Sequence, residues 1–207
     1  MDGADFVETV RESNATALDR LGSDKALIAT TDAALERERV LEAAAAAEAR
    51  AAVTFESWAD DEADEQAREA FREAAARERD HHERVVALGD EAAADPPPDA
   101  LHEYLRGLEG TVERAAAGLV GRPLVASRSL LQVINFFVNE GGRTAAETFR
   151  ELRGETDDQV GPGGDVVAAV YEDEALAEAA ASRAIEAAYG EYVDSLEALG
   201  IDPKPVC

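Results

Sequence analysis

The chain of 207 residues has the length of one domain. Hydrophobic residues at 46% supply a packed core, and aromatics at only 5% make that core one of Ala, Val and Leu. Forty-five acidic against 20 basic residues give a formal net charge of −25, and the one cysteine is Cys207. These figures exclude the basic stripe of a nucleic-acid binder, any intrachain disulfide and a zinc site built on several thiolates.

The acid is spread along the whole chain, and lysine occurs only at Lys25 and Lys204. That composition resembles proteins of extreme halophiles. In molar salt the Debye length is about 3 Å, so repulsion between surface carboxylates is strongly screened. The N-terminal stretch MDGADFVETV is acidic and lacks an apolar signal core, and the longest apolar run, 130–138, is too short to span a bilayer. These features predict a cytoplasmic protein without nucleic-acid or membrane partners.

Taken in order, the chain reads as all helix, with no sustained alternation of apolar and polar residues. An amphipathic helix is predicted over 4–21, with Phe6, Val10, Ala17 and Leu21 on one side and Gly22 as its stop. A helix over 24–59 would be about 54 Å long, so a kink is expected in it. The acidic run 60–65 makes a tight turn into a helix over 65–89. The prolines of 95–99 break the chain. A connector helix covers 100–119 and stops at Gly121-Arg122-Pro123. A third core helix covers 124–153. The segment 154–165, with four glycines and a proline, is predicted as a loop, and a fourth core helix covers 165–200. The plan is a four-helix bundle over 23–200, with hairpins 24–89 and 124–200 and a crossover at 90–123 between helices two and three. A short N-terminal helix (1–22) precedes it and a tail (201–207) follows.

The helix seams carry the chemistry. The first reads Leu41, Ala45, Glu48, Ala52, Phe55, Ala59; the second reads Phe71, Ala74, Glu78, His81, Val85, Leu88. The third, Leu130, Val133, Phe137, Glu140, Thr144, and the fourth, Tyr171, Ala175, Glu178, Ser182, Ile185, continue the spacing of a bundle core. One glutamate per helix, plus one histidine, thus falls on a buried stripe. Bare carboxylates in a dry core cost several kcal/mol each unless paired, protonated or metal-bound. A pair of divalent ions would neutralise four of them. The candidate ligands are Glu48, Glu78, His81, Glu140 and Glu178, with Glu147 competing in the third helix and Glu172 or Glu174 in the fourth. His82 and His102 are expected at the surface. Trp58 and the four tyrosines are expected to be packing residues.

The stretch from Glu48 to Phe55, and the stretch from Phe71 to His81 with its Glu78-x-x-His81, resemble the two metal-binding helices of the first hairpin in rubrerythrins, a branch of the ferritin-like superfamily. The resemblance implies a ferritin-like bundle binding iron as a pair, with manganese or no metal as alternatives. It implies oxidation of Fe(II) by peroxide or oxygen, a small oxidant as substrate and a homodimer. Two departures stand out. The family's second Glu-x-x-His would fall at Glu178, but position 181 is alanine, and the family's four-cysteine rubredoxin module is absent. Position 181 is expected to face the bundle centre with room for an imidazole. The alternative implied by that alanine is a metal-free helical scaffold acting through protein–protein association.

Overall fold

The computed structural model describes residues 2–89, 96–171 and 173–204. Glu172, Cys207 and the first residues of the expected crossover, 90–95, lie outside them. Every regular element among the described residues is helical, and no helix there is long and apolar enough to cross a membrane.

The N-terminal helix is two helices, α1 (Gly3–Ser13) and α2 (Ala15–Leu21). Between them the Asn14 amide donates to Val10 O and to Ser182 Oγ. The expected 24–59 helix is also divided, into α3 (Lys25–Thr30) and α4 (Arg37–Asp61). The hydroxyls of Thr30 and Thr31 donate back to the carbonyls of Ala26 and Leu27, a bond that competes with helix continuation. Asp32 and Ala33 then turn the chain at φ 50° and 63°. The acidic turn is where the sequence predicts it. Asp64 caps α5 (Glu65–Val86) by accepting the N–H of Ala67 at 2.9 Å.

After α6 (Ala100–Arg106), the helices α7 (Thr111–Ala116) and α8 (Arg122–Asn139) are joined by a π-helical turn, Ala117–Gly121. The expected stop at Gly121-Arg122-Pro123 is therefore no stop. The Arg122 N–H reaches back five residues to Ala117 O, and Pro123 has no N–H to place. Glycine is required twice in this turn. A Cβ on Gly118 would stand 2.5 Å from the Trp58 ring, and one on Gly121 would stand 2.8 Å from Ala181 O.

The largest departure follows. Segment 154–165 is not a loop but the middle of α9 (Arg143–Val170), with Pro162 inside it. Its glycines serve close approach: a Cβ on Gly163 would strike Leu119 O, and one on Gly164 would stand 2.5 Å from Gly3 O. The turn between α8 and α9 lies instead at 140–142, where Gly141 has φ +72°. The expected helix over 165–200 is interrupted before α10 (Glu174–Ala198).

The closest pairings are α4 with α5 and α8 with α9; α5 packs on α9, and α10 lies along α6, α7 and the π turn. Two apolar clusters fill the interior. One is built around Phe55, Trp58, Phe71 and α10, the other around Val40, Val85, Phe137 and Phe149. On α4, α5 and α9 the two clusters are separated by polar residues: Glu48, Glu78 with His81, and Glu155 with Thr156.

Candidate metal centre

That polar layer begins with two unbroken helices. Glu48 lies between Ala45 and Ala52 on the buried seam of α4, and Glu78 and His81 lie between Ala74 and Val85 on that of α5. The residue exposures are 3% for Glu48, 0% for Glu78 and 0% for His81. Each of the three offers a ligand atom within 4.8 Å of the other two. The first hairpin thus brings together the three side chains that the sequence assigns to it, in a group that could hold a metal ion.

The second hairpin does not deliver the others. Glu140 is exposed and ends α8, because the chain turns at 140–142 rather than continuing as helix. Glu147 is exposed on α9 and Glu174 is exposed in the first turn of α10. Glu178 is only half-buried. The buried face of α10 runs through Ala177, Ala181 and Ala184, one position off the predicted seam. Ala181 is fully buried, with its backbone against the π turn. The space expected there for an imidazole is filled by helix–helix contact.

The residue that does enter the layer is Arg122. It is 3% exposed. Its Nη1 donates to Glu78 Oε1 at 2.5 Å and its Nη2 to Glu48 Oε2 at 3.0 Å. The π turn directly before it sets the rotation that aims it there. At this depth α9 contributes Glu155, whose Oε2 is 2.9 Å from His81 Nε2. Gln159 of α9 accepts from Arg77 at the same level. Glu155 is itself held by Arg84 at 2.9 and 3.0 Å.

Charge follows geometry. Burial and the neighbouring Glu78 charge push the Glu48 carboxyl well above its ordinary range, against the pull of Arg122. Burial raises Glu78 too, but Arg122, the hydrogen bond shared with Glu48 and His81 outweigh it and hold Glu78 down. Glu155 is also lowered: burial acts upward, and its bonds to Arg84 and His81 prevail. An ionised Glu155 is an acceptor, so His81 Nε2 carries a proton, and Nδ1 is the ring nitrogen that a metal would take.

Two atoms of the layer remain unanswered. Glu78 Oε2 and His81 Nδ1 are buried without a hydrogen-bond partner and stand 4.0 Å apart. Two acceptors facing one another need a cation or proton between them. An ion bonded to both at about 2.1 Å with a near-tetrahedral angle would need them about 3.4 Å apart, so a side-chain shift of about half an ångström closes the pair on it. The donor set therefore fits one divalent ion on Glu48, Glu78 and His81. It does not supply the four carboxylates of a pair, and Arg122 occupies one oxygen of each glutamate.

Sequence reading missed Arg122 and Glu155. Arg122 had a signal: it is the one charge in the apolar run 115–126. Glu155 had none, since its segment reads as a loop. His102, expected at the surface, is buried at 2% exposure. Trp58 is a packing residue, 5.6 Å from Phe55 and 5.3 Å from Phe71 by ring centroids. No family model, curated protein or solved structure gives a significant match to this chain.

Proposed function

We propose that this chain is a ferritin-like helical bundle that binds one divalent metal ion, iron or manganese, through Glu48, Glu78 and His81. The observation that carries this reading is the buried, unpartnered pair Glu78 Oε2 and His81 Nδ1. The resemblance of the α4 and α5 motifs to rubrerythrin supports the fold half of it. Bound iron would supply one-electron chemistry toward peroxide or oxygen. The chain's own part is more specific. Glu155 holds the His81 proton on Nε2 and so frees Nδ1. Arg122 supplies the positive charge that a second ion would otherwise bring. The two apolar clusters flank the layer on both sides and leave Glu155 as its edge toward solvent.

A second reading has its own observation. Arg122 bonds both carboxylates, so the layer is nearly neutral without any metal. In that reading the chain is a metal-free member of the same fold, acting as a scaffold, a dimer included. Metal analysis of protein purified without chelator in high salt separates the two. About one iron or manganese per chain is the expected result. Fewer than about a tenth of an ion per chain selects the scaffold, and two per chain restores the paired-metal expectation.

A further inference from the structure

Acid is spread over this chain except in one place. From Arg114 to Asn139 it carries no Asp or Glu, while elsewhere no more than seven residues pass without one. Residues 114–125 of that stretch are buried and have no call for surface charge. The outer face of α8 is different. Arg128 and Leu131 are half-buried, Asn135 and Asn139 are exposed, and Val138 at 51% is the most exposed large hydrophobic residue among those described. The outer face of α5, by contrast, turns Glu69, Glu73, Asp80 and Glu83 to solvent.

The acid-free face has the order of a helix seam. Leu124, Arg128, Leu131, Asn135 and Val138 follow one another at spacings of 4, 3, 4 and 3, the pattern that buries a stripe against a second helix. Its borders are neutral. Arg128 Nη2 stands 4.0 Å from Asp19 Oδ1 of α2. Arg153 of α9 donates to Ser127 O and stands 3.6 Å from Asp157 Oδ2. The two arginines beside the stripe are thus answered within the chain.

We propose that this face of α8 is the surface on which a second copy of the chain docks, with a two-fold axis beside Asn135. Charge selects the occupant. Each copy carries −25, and in molar salt, with a Debye length of about 3 Å, carboxylates repel strongly only when brought into contact. Two copies meet without opposing carboxylates where neither presents any, and the outer face of α8 is that place. A two-fold contact sets one patch against itself. Leu131 and Val138 of both copies then close around the axis. The Asn135 amides, each both donor and acceptor, pair across it, as a lone Asn does on a helix seam. A surface like the rest of this chain would instead press carboxylates onto leucine and valine. Asn135 lies about 20 Å along α8 from Arg122, so the contact forms with or without a metal.

The test is the molar mass of the full chain in molar KCl, by sedimentation equilibrium over about 1–100 μM. Twice 22.0 kDa is expected at the upper end of that range. Leu131→Glu and Val138→Glu should each weaken association about tenfold or more, with helicity by circular dichroism unchanged. Leu176→Glu, at an exposed apolar residue of α10, should leave the dimer intact. In a Cys207→Ser background, Asn135→Cys should form an interchain disulfide in air and Leu176→Cys should not. Several results would overturn the proposal: a mass of 22.0 kDa throughout, an assembly larger than two, a dimer that survives both α8 glutamates, a dimer lost equally with Leu176→Glu, or no disulfide at position 135.

Discussion

The two helix hairpins answer the same packing problem with opposite charges. The α4–α5 hairpin buries two glutamates and a histidine on otherwise apolar seams. The α8–α9 hairpin, packed beside it, sends in an arginine from the start of α8 and keeps its own carboxylates at the surface or, for Glu155, at the edge. A symmetric bundle with one glutamate per helix would need two metal ions to balance its centre. This bundle buries two glutamates there instead of four, sets one guanidinium against them and leaves one oxygen and one nitrogen bare. Buried acid is thus not by itself a sign of two metals. What the facing hairpin returns decides how many ions the centre can take.

Removing the answering charge should break this comparison most severely. Arg122→Leu leaves Glu48 and Glu78 buried without a partner, and loss of one member of a buried ion pair costs about 3–5 kcal/mol. Urea unfolding of chelated protein should show that drop, and added Mn(II) should restore part of it. Unchanged stability would mean that the arginine is not the counter-charge.

Ala181→His tests the other hairpin's neighbour. Position 181 is fully buried, with its backbone against Gly121, so an imidazole there overpacks. A loss of about 1–3 kcal/mol is expected in thermal unfolding, with no gain in metal binding. A stable variant that takes up a second ion would restore the symmetric picture.

Glu155→Gln sharpens the comparison at its one point of cooperation. The amide no longer demands the proton on His81 Nε2, so metal affinity should fall about 10–100-fold by Mn(II) titration. Metal-free stability should change little, because the side chain is 44% exposed.

Glu48→Gln should have the smallest effect, and its sign depends on pH. The folded Glu48 carboxyl titrates above its ordinary 4.5, so its ionisation weakens the fold as pH rises through and beyond that value. Glutamine cannot ionise. The metal-free variant should match or exceed the parent by up to about 1 kcal/mol at pH 7, and the advantage should vanish below about pH 4. Glu78 behaves oppositely. Held below its ordinary value, it contributes stability above pH 4.5 that is lost as pH falls. A Glu48→Gln variant clearly weaker than the parent at pH 7 would contradict the protonation assigned to this pair.

The contrast between the hairpins also explains which residues of the layer were legible. Glu48, Glu78 and His81 lie on two helices joined by a short acidic turn with a strong Asp64 cap, so heptad spacing carries the register from one to the other. Beyond that point local signals mislead. Gly141 makes a turn without a proline nearby, while Pro162, Gly163 and Gly164, which read as a break, sit inside α9, where tertiary contact needs the smallness of the two glycines. With the turn placed some fifteen residues late, Glu140 falls on a seam it does not occupy. Glu178 falls one position off the true face of α10.

The π turn at Ala117–Gly121 has a genetic consequence. It is one residue longer than an α-helical turn needs, so an in-frame deletion of a single codon there would restore ordinary winding. The four residues left would cover nearly the same angle as the five of the π turn, so Arg122 and the residues after it would keep their orientation about the helix axis. The guanidinium would stay on the two carboxylates although the chain is one residue shorter. The turn thus stores one residue of chain length without disturbing the polar layer: a one-residue deletion should be tolerated there, whereas the same deletion inside α4 or α5 would turn Glu48 or Glu78 away from Arg122.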